Sequence, residues 1–180
     1  MKYVYSLMLV ILAGVFLWSS IHPHGWGIWF FEVSPAVVLI LILVITYRRF
    51  PLTPLTYFIV FCSTLIMFVG GHYTYARVPW MESLKQTFDF SRNHFDRLGH
   101  FFQGMTVMAL LREYLLRTRV VRKKKWLNPI LISLTLAFAS LYELFEFLLP
   151  YLLQWDIQDF LGTQGDIWDS HWDIFYALLG

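Results

Sequence analysis

The chain has a single cysteine, Cys62, among its 180 residues. An intrachain disulfide and a cysteine-based metal motif are therefore excluded, because each needs at least two thiols. Cys62 lies midway along an apolar run, and we interpret it as a small packing residue rather than as a ligand or a nucleophile. Cysteine usage thus gives no indication of the redox compartment.

Charged side chains are also scarce. They make up 14% of the chain, whereas apolar residues make up 58% and aromatic residues 19%. A core that 180 residues can build would not hide so much apolar surface from water, so lipid is the expected solvent. Internal repeats, low-complexity tracts and a soluble domain are absent as well. The sequence therefore predicts a single transmembrane helical domain, 1–180.

Apolar stretches of membrane-spanning length recur along the chain. A span needs about 20 mainly apolar residues at a rise of 1.5 Å each. We predict an all-α polytopic bundle of five full spans with a truncated or half-length sixth helix, and a short interfacial helix or a loop at 76–95. A signal peptide is the alternative for the first stretch, since Lys2 precedes it and small residues end it. The predicted spans are 3–21, 33–47, 55–75, 96–116, 128–150 and 171–180.

Basic residues predict the orientation. Most of the 14 lysines and arginines fall at alternate helix ends, which the positive-inside rule assigns to the cytoplasm together with the N-terminus. These are Lys2, Arg48, Arg49, Arg112, Arg117, Arg119, Arg122, Lys123, Lys124 and Lys125. The others, Arg77, Lys85, Arg92 and Arg97, fall on the opposite side. We interpret the Arg117–Lys125 cluster as an anchor to anionic lipid headgroups, and we expect no binding of nucleic acid.

The same topology collects acids and histidines at the non-cytoplasmic side. All 6 histidines fall there, and so does every one of the 12 acids except Glu113. Among these acids, Glu32 is expected at the membrane interface. The net charge of +2 therefore averages a basic face and an acidic face. The acids on this side are Glu32, Glu82, Asp89, Asp96, Glu143, Glu146, Asp156, Asp159, Asp166, Asp169 and Asp173.

Three predicted helix ends bring ionisable groups to a similar depth. Asp96, His100 and Gln103 recur at i, i+4 and i+7, which puts them on one stripe of the fourth span. Glu143 and Glu146 are three residues apart on one face of the fifth span. After the turn Gly162–Gly165, the last helix carries Asp166, Asp169 and Asp173 on one face. Ionisable groups at such depth are costly and are normally paired or functional.

These groups predict an outward-facing pocket rich in acids and histidine. Carboxylates with a histidine are usual ligands for Zn²⁺ or Mn²⁺, whereas carboxylates alone suit Mg²⁺. His72 is included because the neighbouring glycines permit close approach of helices. The candidate metal ligands are Asp96, His100, Glu143, Glu146, Asp166, Asp169 and Asp173. The candidates for catalysis are Asp96, His100 and Glu143, and those for substrate binding are His72, Arg92, Arg97, Gln103 and Gln164.

Several runs of the sequence resemble the YjdF-type bacterial inner-membrane proteins. The resemblance covers nearly the whole chain and implies a location in the bacterial inner membrane, without an established activity. Members of that family generally continue past the position of Gly180, so a trimmed sixth helix is expected. The runs are Thr46–Tyr57, Val69–Tyr75, Ser91–Phe101 (SRNHFDRLGHF), Tyr142-Glu143 and Gly162–Asp169.

A weaker similarity links the chain to the VanZ-like membrane proteins. The run Asp96–Phe101, the pair Tyr142-Glu143 and Asp169 carry it. Three positions depart from that pattern, because Arg97 stands in place of a lysine, Glu146 in place of a glutamine and Asp173 in place of an asparagine. A shared substrate is therefore not implied.

Three classes of function remain open from the sequence. In the first, a divalent metal polarises a phosphate or a carbonyl group of a lipid-linked or cell-envelope molecule and activates water. The second is a transporter coupled to cations or protons, although the inner half of the bundle offers few polar residues for a path. In the third, a non-catalytic scaffold, Arg92 and Arg97 pair with the carboxylates.

Reporter fusions test the predicted orientation. A phosphatase that works only in the periplasm is expected to be inactive when it is fused within the Arg117–Lys125 connector, because cationic loops are retained in the cytoplasm. The same phosphatase fused at Ser83 is the matched control, and it should be active. An active fusion in the connector would overturn the orientation.

Overall fold

The structure, a computed structural model, describes residues 2–153 and 162–180. Within these ranges the chain forms helices and no strands. Two of the acids predicted for the non-cytoplasmic side, Asp156 and Asp159, lie outside the described residues. The α-helices are α1 (Lys2–Ser19), α2 (Trp26–Thr46), α3 (Pro54–Tyr73), α4 (Pro79–Phe88), α5 (Phe95–Arg117), α6 (Leu127–Leu153) and α7 (Asp169–Leu179), with 3-10 helices at Tyr75–Arg77 and Lys124–Trp126.

The apolar helices agree with a membrane protein. Among the described residues, three helical stretches are long and apolar enough to cross a bilayer: α2, α3 and Lys124–Leu153. The apolar part of α1 is shorter, and α5 is 23 residues long but carries polar side chains along one face. The prediction of an all-helical chain is therefore confirmed for the described residues. Five full spans and a cytoplasmic N-terminus stay predictions.

Two helix boundaries differ from the predicted ones by three residues or more. α2 begins at Trp26 rather than at position 33, so Glu32 lies inside the helix and is buried instead of facing the membrane interface. α6 does not end at Pro150 but continues to Leu153. A proline removes one hydrogen bond of the helix, and membrane helices tolerate this loss where neighbouring groups compensate. A short helix, one of the two predictions for 76–95, is present as α4, which begins with Pro79 in its first turn. Its location in the membrane interface stays a prediction.

α5 occupies the centre of the bundle. It packs against α3, α6 and α7, while α1 and α2 pack against α3 on the far side. Where α1, α2 and α3 meet, the hydrophobic core consists of Leu12, Val33, Ala36 and Phe68. Large apolar side chains elsewhere remain exposed, as expected where lipid covers the surface. The most polar long helix is thus the one that the other helices surround.

Close packing holds α7 on α5 through glycine. A Cβ atom added at Gly104 would overlap the backbone carbonyl of Ala177, and one added at Gly180 would overlap the carbonyl of Phe101. Small residues at such crossings let two backbones approach, which is the usual device of helix association in lipid. The position of α7, and of the aspartates at its start, therefore depends on Gly104.

Glu113 caps the N-terminus of α3 at the basic end of the bundle, the end that holds the Arg117–Lys125 connector. Its carboxylate accepts hydrogen bonds from the Thr53 amide at 3.0 and 3.1 Å, from the Thr53 hydroxyl at 2.6 Å and from the Thr56 hydroxyl. Arg117 Nη2 lies 2.6 Å from the same carboxylate. The first amides of a helix need such acceptors, so Glu113 has a structural role.

Paired glycine substitutions test the docking of α7. Gly104→Ala is expected to lower the thermal unfolding temperature of the detergent-purified protein, because the added methyl group forces α7 away from α5. Gly14→Ala is the matched control, since a Cβ there meets nothing within 4 Å. That change should be neutral or stabilising by up to about 1 kcal/mol, as for glycine to alanine within a helix. Equal effects of the two substitutions would contradict the proposed packing.

Candidate functional site

Carboxylates and one imidazole converge where α5 and α7 begin and α6 ends. We call Asp96 and His100 of α5, Glu143 and Glu146 of α6, and Asp169 and Asp173 of α7 the acidic cluster. The three helices pack against one another, which brings these side chains together from distant parts of the sequence. The structure therefore brings together the side chains that helix periodicity placed at a similar depth.

His100 lies at the centre of the cluster. Its Nε2 is 3.6 Å from Asp96 Oδ1 and 3.4 Å from Glu143 Oε1. Asp96, His100 and Asp173 each offer one ligand atom, and these three atoms lie within 4.8 Å of one another. The same spacing holds for His100, Glu143 and Glu146. His100 therefore belongs to both groups of potential ligands.

Arg92 supplies positive charge at the edge of the cluster. Its side chain is only 3% exposed. It forms an ion pair with Asp169, while its guanidinium lies 3.6 Å from Asp166 Oδ2 and 3.9 Å from Asp96 Oδ2. Burial alone lowers the pKa of Arg92, but the hydrogen bond and charge of Asp169 outweigh it and hold the pKa above its ordinary value. Arg92 therefore stays charged and ties α7 to the start of α5.

Arg97 forms a second link between α5 and the segment that leads into α7. Its Nη2 lies 2.8 Å from Asp166 Oδ2, and its guanidinium stacks over the ring of Trp172 at 5.4 Å. Its Nη1 is 3.3 Å from Nδ1 of His94. Burial and then the charges of Arg97 and Arg92 lower the pKa of His94, so a neutral imidazole accepts this hydrogen bond at neutral pH. Asp166 thus pairs with the two arginines, and it belongs to neither group of three potential ligands around His100.

Two predicted substrate-binding residues have other partners. The amide of Gln164 accepts a hydrogen bond from the Asn93 backbone at 2.8 Å and donates one to the Asn93 carbonyl at 2.9 Å. The ring of His72 lies 4.3 Å from that of Trp18, and its Nδ1 is 3.1 Å from the Ser19 carbonyl. Gln164 therefore fixes the turn before α7, and His72 fixes the end of α1.

A cavity of about 350 Å³ extends from the acidic cluster between α2, α3, α5 and α6. We call it the α5 cavity. Asp96, His100 and Glu146 line its acidic end together with the rings of Tyr75 and Tyr142. Gln103 and Thr106 follow along α5. The remaining lining is largely apolar and comes from all four helices.

Several polar atoms in this region lack a hydrogen-bond partner among the described residues. In the lining of the α5 cavity these are His100 Nδ1, Gln103 Oε1 and Thr106 Oγ1; in the acidic cluster, Glu143 Oε1 and Asp173 Oδ1. Buried polar groups in proteins are almost always hydrogen-bonded. The chemistry of the cavity wall therefore suits a bound polar group or a cation.

Sequence reasoning missed Tyr75 and misplaced Glu32. The ring of Tyr75 is inserted between α3 and α5, where a Cβ at Gly70 would lie 2.5 Å and one at Gly99 2.7 Å from it. Tyr75 lines the α5 cavity together with Asp96 and Glu146. The pair of glycines on two helices was the available signal, since it marks a close approach. An inserted ring, rather than a second helix backbone, occupies that space.

Comparisons with known proteins give one consistent result. The family described as "Predicted membrane protein (DUF2238)" matches residues 4–180. The chain is 40% identical over 166 residues to "Inner membrane protein YjdF" of Escherichia coli (strain K12), which covers 92% of this chain and 79% of that protein. No solved structure matches the chain. The weaker similarity to VanZ-like proteins is not shown by these comparisons.

A double-mutant cycle tests whether the ion pair between Arg92 and Asp169 holds α7 to the start of α5. Arg92→Gln should destabilise the protein by about 3–5 kcal/mol, because it leaves buried aspartates without a countercharge. Adding Asp169→Asn should recover part of this loss in thermal unfolding. Lys85→Gln is the control, since its partly exposed pair with Glu82 at 3.4 Å should contribute under about 1 kcal/mol. An Arg92→Gln effect as small as that of the control would contradict a structural clamp.

Proposed function

The chain belongs to the DUF2238 family of predicted membrane proteins, and we propose that it is an inner-membrane protein whose acidic cluster binds a divalent metal ion beside a cavity for a lipid-linked molecule. The family membership confirms the resemblance to YjdF-type proteins. The metal, the substrate and the periplasmic location of the site belong to the proposal. The positive-inside rule supports the periplasmic location.

The observation that carries the proposal is the group formed by Asp96, His100 and Asp173. Their ligand atoms lie within 4.8 Å of one another, and all three residues are buried. His100, 4% exposed, and Asp173, 2% exposed, each have a polar atom without a hydrogen-bond partner among the described residues. Ligands bound to one ion at about 2.0–2.6 Å lie roughly 3–4 Å apart, so a small inward adjustment suffices.

The charge balance of the cluster supports the same proposal. Arg92 and Arg97 are engaged by Asp166 and Asp169, whereas Glu143, Glu146 and Asp173 surround His100. Adjacent carboxylates in a low-dielectric environment repel one another unless they are protonated or neutralised by a cation. A divalent ion relieves this repulsion. Because one ligand is an imidazole, Zn²⁺ or Mn²⁺ fits the set better than Mg²⁺.

A metal at this position would polarise a phosphate or carbonyl oxygen. Asp96, His100 and Asp173 would hold it. Glu143, whose Oε1 lies 3.4 Å from His100 Nε2, is then the carboxylate placed to accept a proton from water or substrate. The α5 cavity begins at two of these residues, Asp96 and His100, so a lipid-linked molecule in it would present its polar group to the cluster.

Two other classes have less support. For a cation or proton pathway, the polar lining on α5 stops at Thr106, and Val107 and Leu110 follow it. Glu113, farther along, is engaged as the cap of α3. The arginine clamps would suit a scaffold, but they do not account for the carboxylates around His100.

Metal analysis of purified protein tests the proposal. We expect close to one Zn or Mn ion per chain by elemental analysis, with affinity lowered by about tenfold or more in His100→Ala and in Asp173→Asn. His171→Gln, an exposed histidine on the same helix as Asp173, is the control and should bind as the unmodified protein does. Metal-free protein that is not stabilised by Zn²⁺, Mn²⁺ or Mg²⁺ would refute the metal site, as would unchanged binding by His100→Ala.

A further inference from the structure

The α5 cavity has one polar wall. Asp96, His100, Gln103 and Thr106 recur along one face of α5 and span about 15 Å of its length. Most of the facing lining is apolar and includes Leu39 of α2, and its polar members are Ser63 of α3 and Tyr142 and Glu146 of α6. A cavity with this division suits an amphiphile, whose tail contacts one wall while its polar part contacts the other.

The cavity opens sideways between α2 and α6. Val38, Ile42 and Phe138 line it and yet are 53%, 52% and 48% exposed, so each also lies on the lipid-facing surface. At the acidic end, Phe31 of α2 and Phe145 of α6 approach to 6.3 Å between ring centroids. The opening therefore lies at the depth of the hydrocarbon, below this pair of rings. A lipid tail can enter it from the bilayer without crossing a polar region.

The acidic end of the cavity favours a positively charged head group. Its lining combines the carboxylates of Asp96 and Glu146 with the rings of Tyr75 and Tyr142. Carboxylates attract an ammonium ion, and aromatic faces stabilise it further through cation–π interactions. Arg92 and Arg97 are engaged by aspartates instead. Glu146 is not one of the three proposed metal ligands, so its carboxylate stays available to an ammonium group, and an anionic head group beside it would meet like charge.

We propose that the α5 cavity binds an amphiphile with one apolar tail and an ammonium head, taken from the bilayer through the opening between α2 and α6. This inference rests on the proposed function of the pocket and names its substrate class. The volume of about 350 Å³ is within the range of roughly 300–1,000 Å³ of small-molecule sites. The amide of Gln103 and the hydroxyl of Thr106 then meet the polar link between head and tail.

Matched amphiphiles test the inference. The protein as purified, in an uncharged detergent, is titrated with decyltrimethylammonium or with decyl sulfate, each below its micellar concentration, and thermal unfolding is followed. We expect a saturable rise in unfolding temperature with the ammonium compound and none with the sulfate. A tail-matched pair isolates the head charge, because both probes carry the same apolar chain.

Cavity variants separate this site from the lipid-facing surface. Val38→Trp fills the opening and Glu146→Gln removes a carboxylate from the head site, so each should weaken ammonium binding by about tenfold. Ile45→Trp is the control, since Ile45 lies on the same helix, is 76% exposed and does not line the cavity. It should leave binding unchanged.

Metal content measured on the same samples distinguishes the two proposals. Saturable ammonium binding by a protein that holds no metal would contradict the metal site and support the amphiphile site. Metal retained together with equal responses to ammonium and sulfate would contradict the amphiphile site alone. Ammonium binding unaffected by Val38→Trp would overturn it as well.

Discussion

The buried guanidinium of Arg92 is the interaction on which the acidic end depends. It pairs with Asp169 and lies within 4 Å of Asp96 and Asp166, so one cation joins the start of α5 to the turn before α7 and the start of α7. Burying a charge in this way costs several kcal/mol unless partners offset it. The aspartates provide the offset, and the geometry that satisfies Arg92 also sets the position of Asp173 one turn farther along α7.

The polar character of α5 explains where the site lies. A helix with Asp96, His100, Gln103 and Thr106 on one face would be unfavourable against lipid. The bundle places α3, α6 and α7 around it instead. Gly104 allows α7 to approach closely enough to complete this enclosure. The α5 cavity then remains on the side that α7 does not cover, between α2 and α6.

Periodicity was sufficient to predict part of this arrangement. The spacings within α5 and α6 placed His100, Glu143 and Glu146 at one depth because helical rise is fixed, and the structure brings them together. The choice of ion-pair partner was beyond the sequence, since it depends on how the turn 162–165 folds over Arg92. His72 was chosen for its neighbouring glycines and Gln164 for its place in the turn before the last helix, but polar atoms of both are engaged by backbone groups nearby. Tyr75 follows α3, and only the packing of α3 on α5 places its ring beside Asp96.

The two ends of the bundle show what distinguishes a structural carboxylate from one that is available to a ligand. Glu113 at the basic end receives hydrogen bonds from an amide and two hydroxyls and an ion pair from Arg117. Glu143 and Asp173 at the acidic end are buried to a similar degree, yet each has an oxygen without a hydrogen-bond partner among the described residues. A cation bound as proposed above would satisfy the carboxylate oxygens around His100 that lack a hydrogen-bond partner.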